Sequence, residues 1–231
     1  VVSTGDSSMA IGAPGNGIVS LGDGGYAVLS FERPIKNGPG WDFAIFENSF
    51  CDTFLELGFV EVSSDGINYF QFESTSLTQD TLQIDAFGSI NPEMINNLAG
   101  KYRATFGTPF DLEELALQQG LDVNNITHIK IIDVIGSIDP AIGTYDQFGN
   151  IINDPFPTPF PSSGFDLDAI GVIHEQPLNL VDNHHLNNIY NLIIVNGIIT
   201  YDLNSTKDEE LNCSIIDLSG KKIYDNEIMI K

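Results

Sequence analysis

Between Gly25 and His174 the chain never stays apolar for long. Short runs of alternating β-branched and aromatic residues are cut by clusters of Gly, Pro, Asn and Asp. That rhythm leaves little room for amphipathic helices and selects half-buried strands joined by turns. Gly25–Phe31 (GYAVLSF) and Asp42–Glu47 (DFAIFE) carry it first, separated by the turn-forming stretch from Arg33 to Gly40. Phe59–Ser63 and Ile67–Phe72 follow, with Ser64-Asp65-Gly66 between them as a hairpin signal. Ile126–Val134 (ITHIKIIDV) and Phe165–His174 (FDLDAIGVIH) supply two more strands. Helix is confined to a turn or two within Asn91–Leu98 and to Asp111–Gln119, which opens on acidic residues and stops at Gly120. The expected fold is all-β: a jelly-roll-like β-sandwich over residues 1–175 with one or two short helices.

Charge then narrows the function classes. The 231 residues include 32 acids and 9 bases, a formal charge of −23. Neutralising phosphates needs Lys and Arg in numbers this chain lacks, which weighs against nucleic acid and against an anionic membrane surface. There is no apolar run long enough to span a bilayer. Near Glu175 the character changes: Gln176-Pro177 ends the last strand, and Asn179–Asn188 is polar. A second β-rich stretch follows in Asn191–Tyr201, Cys213–Leu218 and Lys222–Ile230. Residues 1–175 hold 24 acids and 5 bases (−19), and residues 176–231 hold 8 and 4 (−4). The expected organisation is a binding domain at 1–175, a linker at 176–187 and a small β-unit at 188–231.

Two resemblances sharpen this reading. Cys213–Asp225 (CSIIDLSGKKIYD) resembles the "-IYDLSGK-" hairpin of type A C-terminal sorting domains, which direct proteins through the type IX secretion system of Bacteroidota. The family's closing Gly-Ile-Tyr-type strand is not matched after Ile230, so the resemblance implies a shortened, β-sandwich-like sorting domain. It also implies an extracellular location at the bacterial cell surface after removal of a signal peptide, and the secretion machinery as a partner. The first domain resembles a family of bacterial cell-surface proteins through Gly22–Phe31, Gly38–Phe50, Phe59–Gly66, Gly107–Leu112 and Ser163–His174. Some relatives are encoded beside outer-membrane cobalamin-uptake components. That resemblance implies an accessory of nutrient capture beside an outer-membrane transporter or surface lipoprotein, with a corrinoid as one candidate ligand.

Candidate chemistry lies in loops. Carboxylates and amides cluster at the end of the Asp42–Glu47 strand, in the Pro-rich stretch from Gly136 to Gly164, and at Asp166 and Asp168. Hard oxygen ligands at uneven spacing suit Ca²⁺, and the expected shell is Glu47, Asp146, Asn150, Asp154, Asp166 and Asp168 with backbone carbonyls. Plain turn chemistry is the competing account, because Asp and Asn populate turns without a metal. Pairs such as Asp166/Asp168 or Asp42/Glu47 keep a calcium-dependent glycoside-active enzyme as the alternative. His128 and His174 sit on strand patterns and are expected to be structural, and neither G-x-S-x-G nor H-E-x-x-H occurs. Trp41, Tyr145, Phe148, Phe156 and Phe160, each among turn residues, are the candidate ligand-binding aromatics, suited to stacking on a glycan or a corrinoid. Phe70, Phe110 and Phe165 are expected in the core. The expected function is non-catalytic ligand binding at the cell surface.

Overall fold

The computed structural model describes residues 3–177 in full and, beyond them, the strands of the tail by their backbone. The chain divides into two compact units, Val1–Leu178 and Asn179–Lys231. The first contains β1 (Val19–Ser20), β2 (Tyr26–Ile35), β3 (Phe43–Glu47), β4 (Gly58–Ser63), β5 (Phe70–Gln71), β6 (Thr75–Ser76), β7 (Ile95–Asn96), β8 (Thr108–Phe110), β9 (Ile126–Asp133) and β10 (Asp166–Val172). Four form a sheet in the order β1-β10-β3-β8 and four a second in the order β2-β9-β4-β5, every pairing antiparallel. Successive long strands alternate between the sheets, β2 to β3 to β4 and β8 to β9 to β10, which is the crossing pattern of a jelly-roll-like sandwich.

The alternation read from the sequence explains the core. In β3, Phe43, Ile45 and Glu47 are buried while Ala44 and Phe46 are half-buried. Phe43 and Ile45 meet Val60 and Val62 of β4 and Ile129 and Ile131 of β9 in one apolar cluster. Phe110 stacks on Phe43 at 5.4 Å between ring centres, and Phe72 meets Phe43 edge-on at 5.9 Å. A second cluster covers the other side of β4, where Leu55, Leu57 and Phe59 pack with Ile90, Ile95, Leu98 and Ile152.

Three details depart from the sequence reading. Strand β2 runs on through Pro34 to Ile35 past a break in register, which an edge strand tolerates because no ladder bond calls for the N–H that proline lacks. Ile67 and Asn68 belong to the turn rather than to a strand, because the Asp65 carboxylate accepts both backbone N–H groups, each at 2.8 Å. The helix expected at Asp111–Gln119 is a 3-10 turn at Leu112–Leu115, capped by Asp111. Only Leu112 and Leu115 find core, and Leu117 stands exposed, so one turn exhausts the apolar face. Within Asn91–Leu98 a single 3-10 turn at Pro92–Met94 gives way at once to β7.

The second unit holds two antiparallel hairpins, β11 (Tyr190–Val195) with β12 (Ile198–Leu203), and β13 (Glu209–Ile216) with β14 (Lys222–Ile230). The run read as one strand at Asn191–Tyr201 is therefore two. The Asn-Gly dipeptide at 196–197 is the signal that marks such a break. The linker expected at 176–187 lies, from residue 178 onward, outside the described residues.

Candidate functional site

An aromatic-rimmed surface suited to a ligand lies on the outward side of β3 and β8. Ala44 and Phe46 of β3, Pro109 of β8 and Gly107 floor an apolar hollow of about 420 Å³. Trp41, Tyr102 and Phe106 rim it, 61%, 41% and 55% exposed. Gly107 keeps the floor open: a Cβ there would lie 2.8 Å from the Ala44 methyl and 2.9 Å from the Phe46 ring. Two of the five bases in residues 1–175 lie against rings of this rim. Lys101 lies over the Tyr102 ring at 5.9 Å and the Arg103 guanidinium over Phe106 at 5.4 Å.

Asp42 holds the Trp41 loop. Its fully buried carboxylate accepts the Gly38 N–H and the Leu112 N–H, each at 2.7 Å, and meets His174 Nδ1 at 2.8 Å. Its backbone N–H donates to the Phe110 carbonyl, and its carbonyl accepts from Ile173 and His174. The turn around Gly40, at φ +80°, is thus fastened to β8 and to the segment after β10, and Trp41 is presented without freedom to collapse.

The other predicted aromatics do not gather here. Tyr145 lines a separate hollow with Ser76, Asn150 and Ile151, and Phe148 is exposed on the adjoining turn. Phe156 is half-buried, and Phe160 packs against Phe87 at 5.4 Å. Tyr102 and Phe106 take their place beside Trp41. The available signal was the pairing of scarce bases with aromatics in Lys101-Tyr102-Arg103 and Phe106, some sixty positions along the chain from Trp41.

The six residues expected as one calcium shell occupy four hydrogen-bonding neighbourhoods. Asp146 accepts the N–H groups of Ser76, Phe148 and Asn150 at 2.9 Å each and the Asn150 side-chain amide at 2.8 Å. Its oxygens are engaged by the turn and by β6. Asp154 accepts Leu57 N–H at 2.9 Å, and burial together with Asp133 raises its carboxyl far above the ordinary range. Glu47 and Asp166 line one pocket, where Asp166 accepts the Ser20 hydroxyl, while Asp168 is turned to Gly15 N–H, 2.9 Å from each oxygen. A register shift in β10 between Leu167 and Ala169 separates the two aspartates that a regular strand would set on one face. Among the described residues no three His, Cys, Asp or Glu side chains are grouped to hold a metal ion. Of the acidic pairs considered for glycoside chemistry, Asp42 and Asp168 are bound up in these structural bonds.

No known family, curated protein or solved structure matches the chain.

Proposed function

We propose that residues 1–175 form a non-catalytic ligand-binding module of the bacterial cell surface, which uses the Trp41–Tyr102–Phe106 platform to stack on a ring face of a glycan or a corrinoid. The observation that carries the reading is the platform itself. Three large aromatic side chains remain exposed around an apolar floor, although the sandwich has buried aromatics of comparable size elsewhere. The loop beneath Trp41 is fixed by Asp42, so little conformational entropy is lost when a ligand docks. Lys101 and Arg103 lie against the Tyr102 and Phe106 rings and place positive charge beside the platform.

Export belongs to the same proposal. The tail from residue 188 onward acts as a type IX sorting signal, and the module acts in nutrient capture beside an outer-membrane transporter or lipoprotein. Support comes from the Cys213–Asp225 stretch (CSIIDLSGKKIYD), whose ends fall on the paired strands β13 and β14. Trp41 is the only tryptophan in the chain, so its emission reports occupancy of the platform directly. Titrating a glycan panel and cobalamin while following that emission tests the binding reading.

A further inference from the structure

A second cavity, of about 160 Å³, is walled by residues from the end of β3, the approach to β4 and the start of β10. Three carboxyls line it, those of Glu47, Glu56 and Asp166, and four phenylalanines complete it: Phe50, Phe54, Phe87 and Phe160. Glu47 accepts the Ser49 N–H at 2.7 Å, and Asp166 accepts from Ser20. Glu56 differs. The residue is only 7% exposed, and its carboxyl opens on the cavity with no hydrogen bond or ion pair to another described residue. A buried carboxyl without a partner is costly unless it stays neutral or meets a cation.

Among the described residues no such cation is at hand. No base lines the cavity, and the described ion pairs commit Arg33 to Glu175, Arg103 to Asp52, Lys130 to Glu61 and His174 to Asp42. Burial first, and the neighbouring carboxylates second, push Glu56 up to about 10. Burial likewise lifts Glu47 to about 8 against its backbone hydrogen bonds, and raises Asp166.

The four rings form a continuous row. Phe50 stacks on Phe54 at 4.6 Å, Phe54 faces Phe87 at 6.2 Å, and Phe87 meets Phe160 at 5.4 Å. Phe50 and Phe87 are 71% and 68% exposed, so the row is presented to solvent over an acidic floor. Phenylalanine carbon contributes nothing to a metal shell, and these carboxyls are not grouped to share one ion. Carboxyls spread around a cavity lined by phenylalanine suit a larger, softer cation, which charge and contact with the aromatic rings would hold together.

We propose that this cavity binds the alkylammonium group of an organic cation, with Glu47, Glu56 and Asp166 as its counter-charges and the phenylalanine row beside it. The carboxyls that burial keeps protonated in the empty cavity ionise as the ammonium enters, and their protons pass to solvent. The site stands apart from the Trp41 platform and does not depend on what that platform binds. Calorimetric titration of the full chain with choline, n-butylamine, CaCl₂ and 3,3-dimethylbutan-1-ol, the uncharged counterpart of choline, tests it. Choline or butylamine binds saturably and the alcohol does not, and which amine binds more tightly separates a quaternary from a primary ligand. Glu56→Gln, which keeps the shape and removes the charge, weakens the amine by roughly tenfold or more. Phe87→Leu, at an exposed ring that leaves the melting temperature unchanged, weakens it by about two- to fivefold. Calcium binding lost in Glu56→Gln, with no response to either amine, overturns the proposal in favour of a metal site. Absence of any saturable response, equal binding of the alcohol, or amine binding unaffected by Glu56→Gln overturns it as well.

Discussion

Asp42 carries more of the platform than any aromatic does, because its buried carboxylate is the common acceptor for three segments. Replacing it strands the Gly38 and Leu112 N–H groups, and each unsatisfied buried donor costs about 1–3 kcal/mol. Asp42→Ala is therefore expected to lose about 2–5 kcal/mol in urea denaturation. A loss below the error of the measurement would show that these bonds do not fasten the loop. Gly38 works with it: a Cβ there would run into the His174 imidazole, so Gly38→Ala displaces the ring from Asp42 and destabilises in the same direction. Asp146 is the counterpart in the long loop. With four donors on one carboxylate, its proton is held below the ordinary range although burial works the other way. Asp146→Ala is expected to cost about 1–3 kcal/mol, read by the same denaturation, through loss of the bond to Ser76 and of the turn around Gly149.

Among the elements, what could be read in advance was whatever a period of two encodes. DFAIFE alternates, and β3 duly buries Phe43, Ile45 and Glu47; ITHIKIID alternates, and β9 buries Ile129 and Ile131. The sandwich follows from several such strands. Asp111–Gln119 reads as longer than it is because an acidic cap looks alike ahead of a 3-10 turn and an α-helix, and only the supply of apolar positions after the cap decides between them. Sites were the least legible part. Trp41 meets Tyr102 and Phe106, and Glu47 meets Glu56 and Asp166, only because β3, β4, β8 and β10 are brought together across long sequence distances. No local pattern states those pairings. The division at residues 178 and 179 carries its own expectation. Deleting 188–231 should leave the melting temperature of the first unit within a few degrees of its value in the full chain, while surface delivery in the producing cell, followed by immunoblot of surface fractions, is lost. Normal delivery of the deletion would remove the sorting role.

The whole molecule is an acid excess held in a compact sandwich, and its stability should depend on pH accordingly. Burial lifts Asp133 to about 7, Glu47 to about 8 and Glu56 to about 10, from 3.8, 4.5 and 4.5. Each group binds its proton more tightly in the folded state, so between the unfolded and folded values the native protein holds more protons than the unfolded chain. The stabilisation is complete below about pH 4 and is lost as pH rises through 7, 8 and 10. Asp65 and Asp146, held low by hydrogen bonds, act oppositely in stronger acid. The melting temperature is therefore expected to peak at about pH 4–5 and to fall steadily toward pH 9. A flat or rising profile over that range would contradict the assignment of buried neutral carboxyls. The central claim is that the aromatic platform binds a ring-bearing ligand, and Trp41 emission during titration with a glycan panel and cobalamin, corrected for corrin absorption, tests it most directly. The account predicts a saturable change with one ligand class that disappears in the Tyr102→Ala, Phe106→Ala double variant; emission that no ligand alters, or a change that persists in that variant, would contradict it.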